Sequence, residues 1–238
     1  AAALFVGVLI LWSTEAIPIA VTAILVLILQ PMFGLGKLAV AFSNFISPAF
    51  FFALAMFIVA FAWTTTGLAS RFALWMIAKA GTDARRIVYV FCFGPGALSM
   101  IVADISAAAI FMAVALGIFA KIGIKPGQSR FGKAVMLGIP IAALIGGVGT
   151  PSGSAINVLG LSMIEQGGGP RIPYLSWMAL GVPMVIILLP VVAWVILRFY
   201  PPEIESIGEI NEIHDAQRAM GPISVREWIV IGVMAVMM

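Results

Sequence analysis

Two polar interruptions stand out in an otherwise apolar chain, and both have the residue types to handle ions. Asp104 is the only carboxylate in residues 87–120, a run of 34 residues without another charge. An Asp near the centre of a bilayer costs about 2.5–3.5 kcal/mol on insertion scales, so such residues mark ion or substrate paths. The plainer alternative is an Asp satisfied by neighbouring amides or by a hydroxyl such as Ser106.

The second interruption reads Ile145-Gly146-Gly147-Val148-Gly149-Thr150-Pro151-Ser152-Gly153-Ser154-Ala155-Ile156-Asn157. In a helix each Gly costs about 1 kcal/mol relative to Ala and each Pro about 3, so this stretch predicts a break. Hydroxyls and an amide gather at it. A span broken in this way points half-helix N-termini at anionic groups, and its freed carbonyls coordinate a coupling cation. Glycines used only for close helix packing would not account for Thr150, Ser152, Ser154 and Asn157. The Gly-Lys-Ser/Thr ending of a nucleotide-binding loop is missing.

The elements that carry these residues read as membrane helices. Of 238 residues 63% are apolar and 10% charged, against about 25% charged in an ordinary soluble domain. Residues 16–36, 38–70, 134–164 and 172–197 contain no Asp, Glu, Lys or Arg. A bilayer core about 30 Å thick needs roughly 20 apolar residues as helix, so each stretch can hold a span. Ser13-Thr14-Glu15-Ala16-Ile17-Pro18 breaks the first apolar run, and Gly34, Gly36 and Lys37 end the next. Residues 67–80, with Arg71 and Lys79 eight apart among apolar neighbours, predict a helix lying in the interface with its basic side chains reaching the headgroups. A simple extension of the previous span is the alternative.

The stretch 87–120 is too long for one straight span and is expected to break at Gly94-Pro95-Gly96. One crossing would put 5 and 8 Lys/Arg on the two faces. A return to the starting face gives 11 against 2, with only Lys37 and Arg171 on the poorer side. The positive-inside bias favours the return. The arms flanking Asp104 count 17 and 16 residues, about 24–26 Å as helix, which favours a re-entrant hairpin over two crossings.

A last long span, 174–199, contains Pro183 and Pro190 as expected kinks. The loop 203–227, with six acidic residues, reads as a solvated connector. The chain opens at Ala1 inside an apolar run and closes at Met238 inside another, Trp228–Met238, so it reads as part of a longer chain. Cys92 is the only cysteine and His214 the only histidine, which leaves no metal cluster and no nucleophile–base–orienter set for an enzyme. The net charge of +3 comes without an aromatic-interleaved basic patch, which argues against nucleic acid.

Trp12 to Pro18, Ser99 to Phe111 and Gly146 to Asn157 together resemble the divalent anion:sodium symporter family, carriers of dicarboxylates, citrate or sulfate. The likeness covers essentially the whole chain, as the family's N-terminal half without its first segment. It implies an all-α integral membrane protein of the cell (inner) membrane, one half of an inverted-repeat, elevator-type dimeric transporter.

On that likeness residues 1–82 are scaffold, with 67–80 as the arm helix. Residues 83–200 are half of a transport domain: the re-entrant hairpin 85–121, the broken helix 133–165 and the helix 174–199. Residues 201–227 are a cytoplasmic loop, and 228–238 begin a further helix. A second repeat would complete the substrate site. The likeness also implies sodium as coupling ion, with a proton as the alternative, and a small anion as substrate.

In the family the hairpin tip carries a Ser-Asn-Thr motif for sodium and a substrate carboxylate. Here those positions read Ala103-Asp104-Ile105. The likeness assigns the ion to Ser99, Ala103, Asp104, Gly153 and Asn157, and the substrate to Asp104, Ile105, Thr150 and Ser154. The departure at the tip weakens half of the substrate clamp, because Ile105 cannot hydrogen-bond a carboxylate. Asp104, if ionised, attracts a cation and repels an anion by about 4 kcal/mol per charge pair at 4 Å and an effective dielectric of 20. It is expected either to neutralise bound sodium or to take up a proton. The rival readings are a sodium/proton antiporter of related architecture and a non-transporting half-repeat subunit.

Overall fold

A computed structural model describes residues 2–125, 127–208, 215 and 217–237 of the chain. His214 and the terminal Met238 therefore lie outside the described residues. The fold is helical and falls into two compact units, Ala1–Phe52 and Ala53–Met238.

The first unit holds α1 (Ala2–Thr14), α2 (Ile19–Met32) and α3 (Leu38–Phe45). Pro18 caps the start of α2, where its missing N–H costs nothing, and Gly34 follows the end of α2 at φ +67°. Thr22 is buried, while Phe5, Ile10, Ile19, Ile24 and Met32 face outward. A water-soluble unit would not expose so many large apolar side chains.

The helix α4 (Pro48–Thr66) leads into α5 (Leu68–Ala80) through Gly67 at φ +82°, with a 61° bend between the two. Only glycine adopts that φ at no steric cost. Along α5 the residues Ala69, Ala73, Ile77 and Ala80 form one buried stripe, and α5 packs on α6 and α7. The structure corrects the expectation for Arg71. Its guanidinium turns inward to Glu227, at 2.9 Å from Nε to Oε1, and to the carbonyls of Gly221 and Met220. Lys79 lies over the Trp75 ring at 4.2 Å.

The hairpin consists of α6 (Ala84–Ser99) and α7 (Asp104–Ile122). The Phe91 and Phe111 rings meet edge-on at 6.1 Å. One lies eight residues before the end of α6 and the other seven after the start of α7, so the arms run antiparallel. The expected break at Gly94-Pro95-Gly96 is not there: α6 continues through Pro95, and the chain turns at Met100–Ala103. These glycines instead admit neighbours, since a Cβ on Gly96 would sit 2.7 Å from Leu189 and 3.2 Å from the Ala142 carbonyl. With 19 residues, α7 is long and apolar enough to cross a bilayer, so arm length no longer separates a re-entrant tip from two crossings.

The helix α8 (Arg130–Val148), α9 (Ala155–Gln166) and α10 (Tyr174–Phe199) complete the core, with α8 packed on α6, α7 and α10. Between segments already surrounded by lipid, association rests on van der Waals packing and interhelical hydrogen bonds, which favours small residues at the seams. Gly138, Ala142, Gly146 and Gly147 are buried along α8. Pro183 and Pro190 lie within one continuous α10, which buries Gly181, Val185, Leu189, Ala193 and Ile196 and exposes Leu180, Ile186 and Trp194.

The loop after α10 is more than a solvated connector. Glu203 takes the Phe131 N–H at 2.8 Å and the Ser129 hydroxyl, capping α8, while Ala84 N and Ile207 N pair with the carbonyls of Glu205 and Thr82. The loop thus ties the starts of α6 and α8 together. The last helix, α11 (Val225–Met237), starts at a capping box of Ser224 and Glu227.

Candidate functional site

The hairpin tip and the break in α8 meet. At the tip, the amides of Ile101 and Val102 fold back onto the Leu98 carbonyl. The helix α7 then starts at Asp104, with Ala103 as an N-cap that has no side-chain acceptor. Asp104 Oδ1 takes the Ile105 N–H at 2.9 Å, so this carboxylate occupies part of the positive helix end that an anion would otherwise use.

The break is shorter than the glycine pattern predicted. Gly146 and Gly147 remain helical in α8, and the chain unwinds only from Gly149 through a 3₁₀ turn at Pro151–Gly153 to Ser154. Thr150 caps that turn by accepting the Gly153 N–H at 3.0 Å. Asn157 holds the two sides of the break together, its Nδ2 donating to Gly147 O at 2.7 Å and to Thr150 O at 2.9 Å. Ser154 caps α9 through its backbone and makes no side-chain cap bond.

The two pieces touch at Gly147. A Cβ there would stand 3.2 Å from Ser99 Oγ, 3.3 Å from Asp104 Cβ and 3.3 Å from Gly153 O. A Cβ on Gly153 would stand 2.6 Å from both the Ser99 and Gly147 carbonyl oxygens. Thr150 Oγ1 reaches across to donate to Met100 O at 2.6 Å. Oxygen atoms of Ser99, Gly147 and Gly153 therefore gather around a contact that no side chain fills.

The decisive atom is Ser99 Oγ, which is wholly buried and has no hydrogen-bond partner among the described residues. Leaving a buried hydroxyl unpaired costs about 1–3 kcal/mol. A hard cation prefers oxygen ligands of this kind, so the residues present fit a small cation.

Of the residues expected from sequence, Ser99, Asp104, Gly153, Thr150 and Asn157 come together here. Ala103 is the partly buried N-cap, and Ser154 is buried at the far edge of the break. Ile105 points away, 78% exposed, into a groove it shares with Ser106, Thr64 and Ser70. Sequence reasoning missed Gly147 as the meeting point, and it missed Tyr174 and Trp177. Tyr174 bonds to Ser152 Oγ at 2.6 Å, and Trp177 Nε1 donates to Val148 O at 2.8 Å. The only signal for these two was a pair of polar-handled aromatics three residues apart at the start of an apolar helix.

The family described as the sodium:sulfate symporter transmembrane region matches residues 1–238 of this chain. The chain belongs to that family. The resemblance drawn from the three motifs is thereby borne out, and the family is one of multi-pass membrane transporters rather than enzymes. Two relatives carry the name sodium-dependent dicarboxylate transporter SdcS. The protein from Staphylococcus saprophyticus is 34% identical over 195 residues, covering 79% of this chain and 37% of that protein. The one from Staphylococcus aureus strain NCTC 8325 is 31% identical over the same length, with the same coverage. The chain thus spans 37% of the length of the curated relatives it matches.

Proposed function

We propose that this member of the sodium:sulfate symporter family forms the cation-binding half of a sodium-coupled symporter for a small dicarboxylate-class anion. The observation that carries the reading is the buried Ser99 hydroxyl, unpartnered among the described residues and facing Gly147, with the Ser99 carbonyl against Gly153. Sodium at this contact would pair the orphan oxygen, and Asp104, whose Cβ adjoins Gly147, would supply the offsetting charge. The names of the two relatives support sodium and dicarboxylate as the pair of cargoes.

The N-terminus of α9 carries no acidic residue in its first turn, and although its Asn157 N–H donates to Ser154 O, the positive helix end favours an anion. The N-terminus of α7 is partly taken by Asp104. The anion is therefore held mainly from the α9 side, through Ser154 and its neighbours, and completed by a second repeat. In this reading residues 83–200 move as an elevator against residues 1–82 in a homodimer, with the α6–α7 tip re-entrant and α5 as the connecting arm.

The test is uptake of labelled succinate and sulfate into proteoliposomes holding a carrier that contains this chain. Succinate uptake should follow an imposed sodium gradient, and Ser99→Ala should raise the half-saturating sodium concentration roughly tenfold, the size of one cation-bound hydroxyl. A sodium-driven pH change without anion uptake would replace the reading with an antiporter. Uptake driven by a proton gradient alone would remove sodium from it.

A further inference from the structure

The hydroxyls between α10 and the hairpin tip admit only one order of donors. Thr150 Oγ1 has a single hydrogen, and its partner Met100 O, at 2.6 Å, can only accept. That hydrogen is committed to the tip. The same oxygen already accepts the Gly153 N–H at 3.0 Å, so Ser152 Oγ, 3.2 Å away, must be the donor in their contact. This uses the only hydrogen of Ser152. The contact between Ser152 Oγ and Tyr174 OH, 2.6 Å, then requires the phenol to donate. The chain runs Tyr174 to Ser152 to Thr150 to the Met100 carbonyl, headed by a phenol, a stronger donor than an aliphatic alcohol.

The last two members of this chain, Thr150 and the Met100 carbonyl, adjoin the residues of the oxygen cluster. Met100 directly follows Ser99, so the pull on its carbonyl sets where the Ser99 hydroxyl and carbonyl stand. Thr150 caps the turn that ends in Gly153, so the same hydroxyl sets where the Gly153 carbonyl stands. The base of α10 is fixed against the break by two further contacts. Trp177 Nε1 donates to Val148 O, and a Cβ on Gly181 would come within 2.7 Å of Gly149 O and 2.8 Å of Val148 O. A donor on a helix packed this closely against the break helps to hold the tip and the turn in register.

We infer that Tyr174 is a positioning residue for the coupling ion, acting through Ser152 and Thr150 on the oxygens of Ser99 and Gly153. The inference rests on the sodium reading above and adds a residue from a different helix to it. Without the phenol, Ser152 accepts no bond from α10, so its oxygen is no longer anchored there and its own donation to Thr150 is weakened and less well directed. The oxygen cluster then samples more arrangements, and the ion must restore one of them on binding.

Tyr174→Phe keeps the ring and removes only the donor. Measured per folded carrier in proteoliposomes, it should raise the half-saturating sodium concentration roughly threefold to tenfold, the size of one neutral hydrogen bond, with maximal uptake at saturating sodium largely kept. Ser152→Ala should give the same shift, and the double variant no more than either alone, because one chain is cut in each case. Leu175→Ala, an exposed position on the same turn, should change neither value.

A residue that only stabilises α10 would instead lower the yield or the maximal rate and leave the sodium midpoint where it was. Sodium-dependent wild-type uptake with an unmoved midpoint in Tyr174→Phe and in Ser152→Ala overturns this inference alone. Uptake by the wild type that ignores sodium overturns it together with the proposed function.

Discussion

The backbones of Gly146 in α8 and Gly96 in α6 are in direct contact. A methyl group on Gly146 would overlap the Gly96 carbonyl oxygen. The contact lies next to Gly147, so it also sets the distance at which the hairpin tip meets the break.

Gly146→Ala should therefore be among the most damaging small substitutions in the chain. Overpacking ordinarily costs about 1–3 kcal/mol, and here the obstacle is backbone rather than a side chain that can turn away. By contrast, Gly117→Ala and Gly160→Ala meet nothing within 4 Å. They should gain roughly 0.5–1 kcal/mol from helix propensity. Thermal unfolding of the detergent-solubilised protein would compare the three, and a wild-type midpoint for Gly146→Ala would mean that the two helices do not touch.

Asp104→Asn retains an oxygen for the Ile105 N–H, so the start of α7 should stay intact while the charge disappears. Loss of the carboxylate should weaken sodium about tenfold, close to 1.4 kcal/mol, and strengthen anion binding by removing a like charge. Uptake with an unaltered sodium midpoint would rule Asp104 out as the compensating charge.

The pair Arg71–Glu227 joins α5 to the start of α11 with little exposure, 19% and 3% for the two side chains. Removing one partner of a buried pair typically costs about 3–5 kcal/mol, because the other charge is left uncompensated. Arg71→Ala should fall in that range. Arg71→Lys should rescue little, because the guanidinium reaches Glu227 and the Gly221 and Met220 carbonyls at once. The double variant Arg71→Met with Glu227→Leu should recover most of the loss.

The same carboxylate makes stability depend on pH. The Ser224 amide, together with the Arg71 guanidinium, holds the Glu227 carboxyl below its ordinary value. A carboxyl depressed in the folded state contributes stability that is fully present above its unfolded value near 4.3, and loses it as pH falls through the lower folded value. Unfolding midpoints measured from pH 7 downward should stay level until about pH 5 and then drop. Arg71→Ala should show a shallower drop, and an equal one would remove Arg71 from the cause.

Most residues of the candidate site were legible in the sequence because polar groups are costly inside an apolar stretch. Ser99, Asp104, Thr150, Gly153 and Asn157 could be named from that cost and from the family likeness, and the fold gathers them. The positions of the breaks were less legible. Gly94-Pro95-Gly96 and Gly146-Gly147 read as helix breakers on propensities measured in water. Away from water an open backbone amide finds no substitute partner, so α6 and α8 stay helical through these residues, although Pro95 itself donates no bond.

What sequence alone determined was the apolar, charge-segregated composition, and with it a helical membrane protein whose few intramembrane polar groups must converge. Those consequences follow from the cost of placing each residue in lipid, which is local to the residue. What only the tertiary structure decided was which backbones touch and which donors face which acceptors. Gly147 became the meeting point, Tyr174 the head of a hydroxyl chain, and Arg71 the partner of a carboxylate 156 residues away. Such contacts join segments distant along the chain, and no spacing within one segment encodes its neighbour.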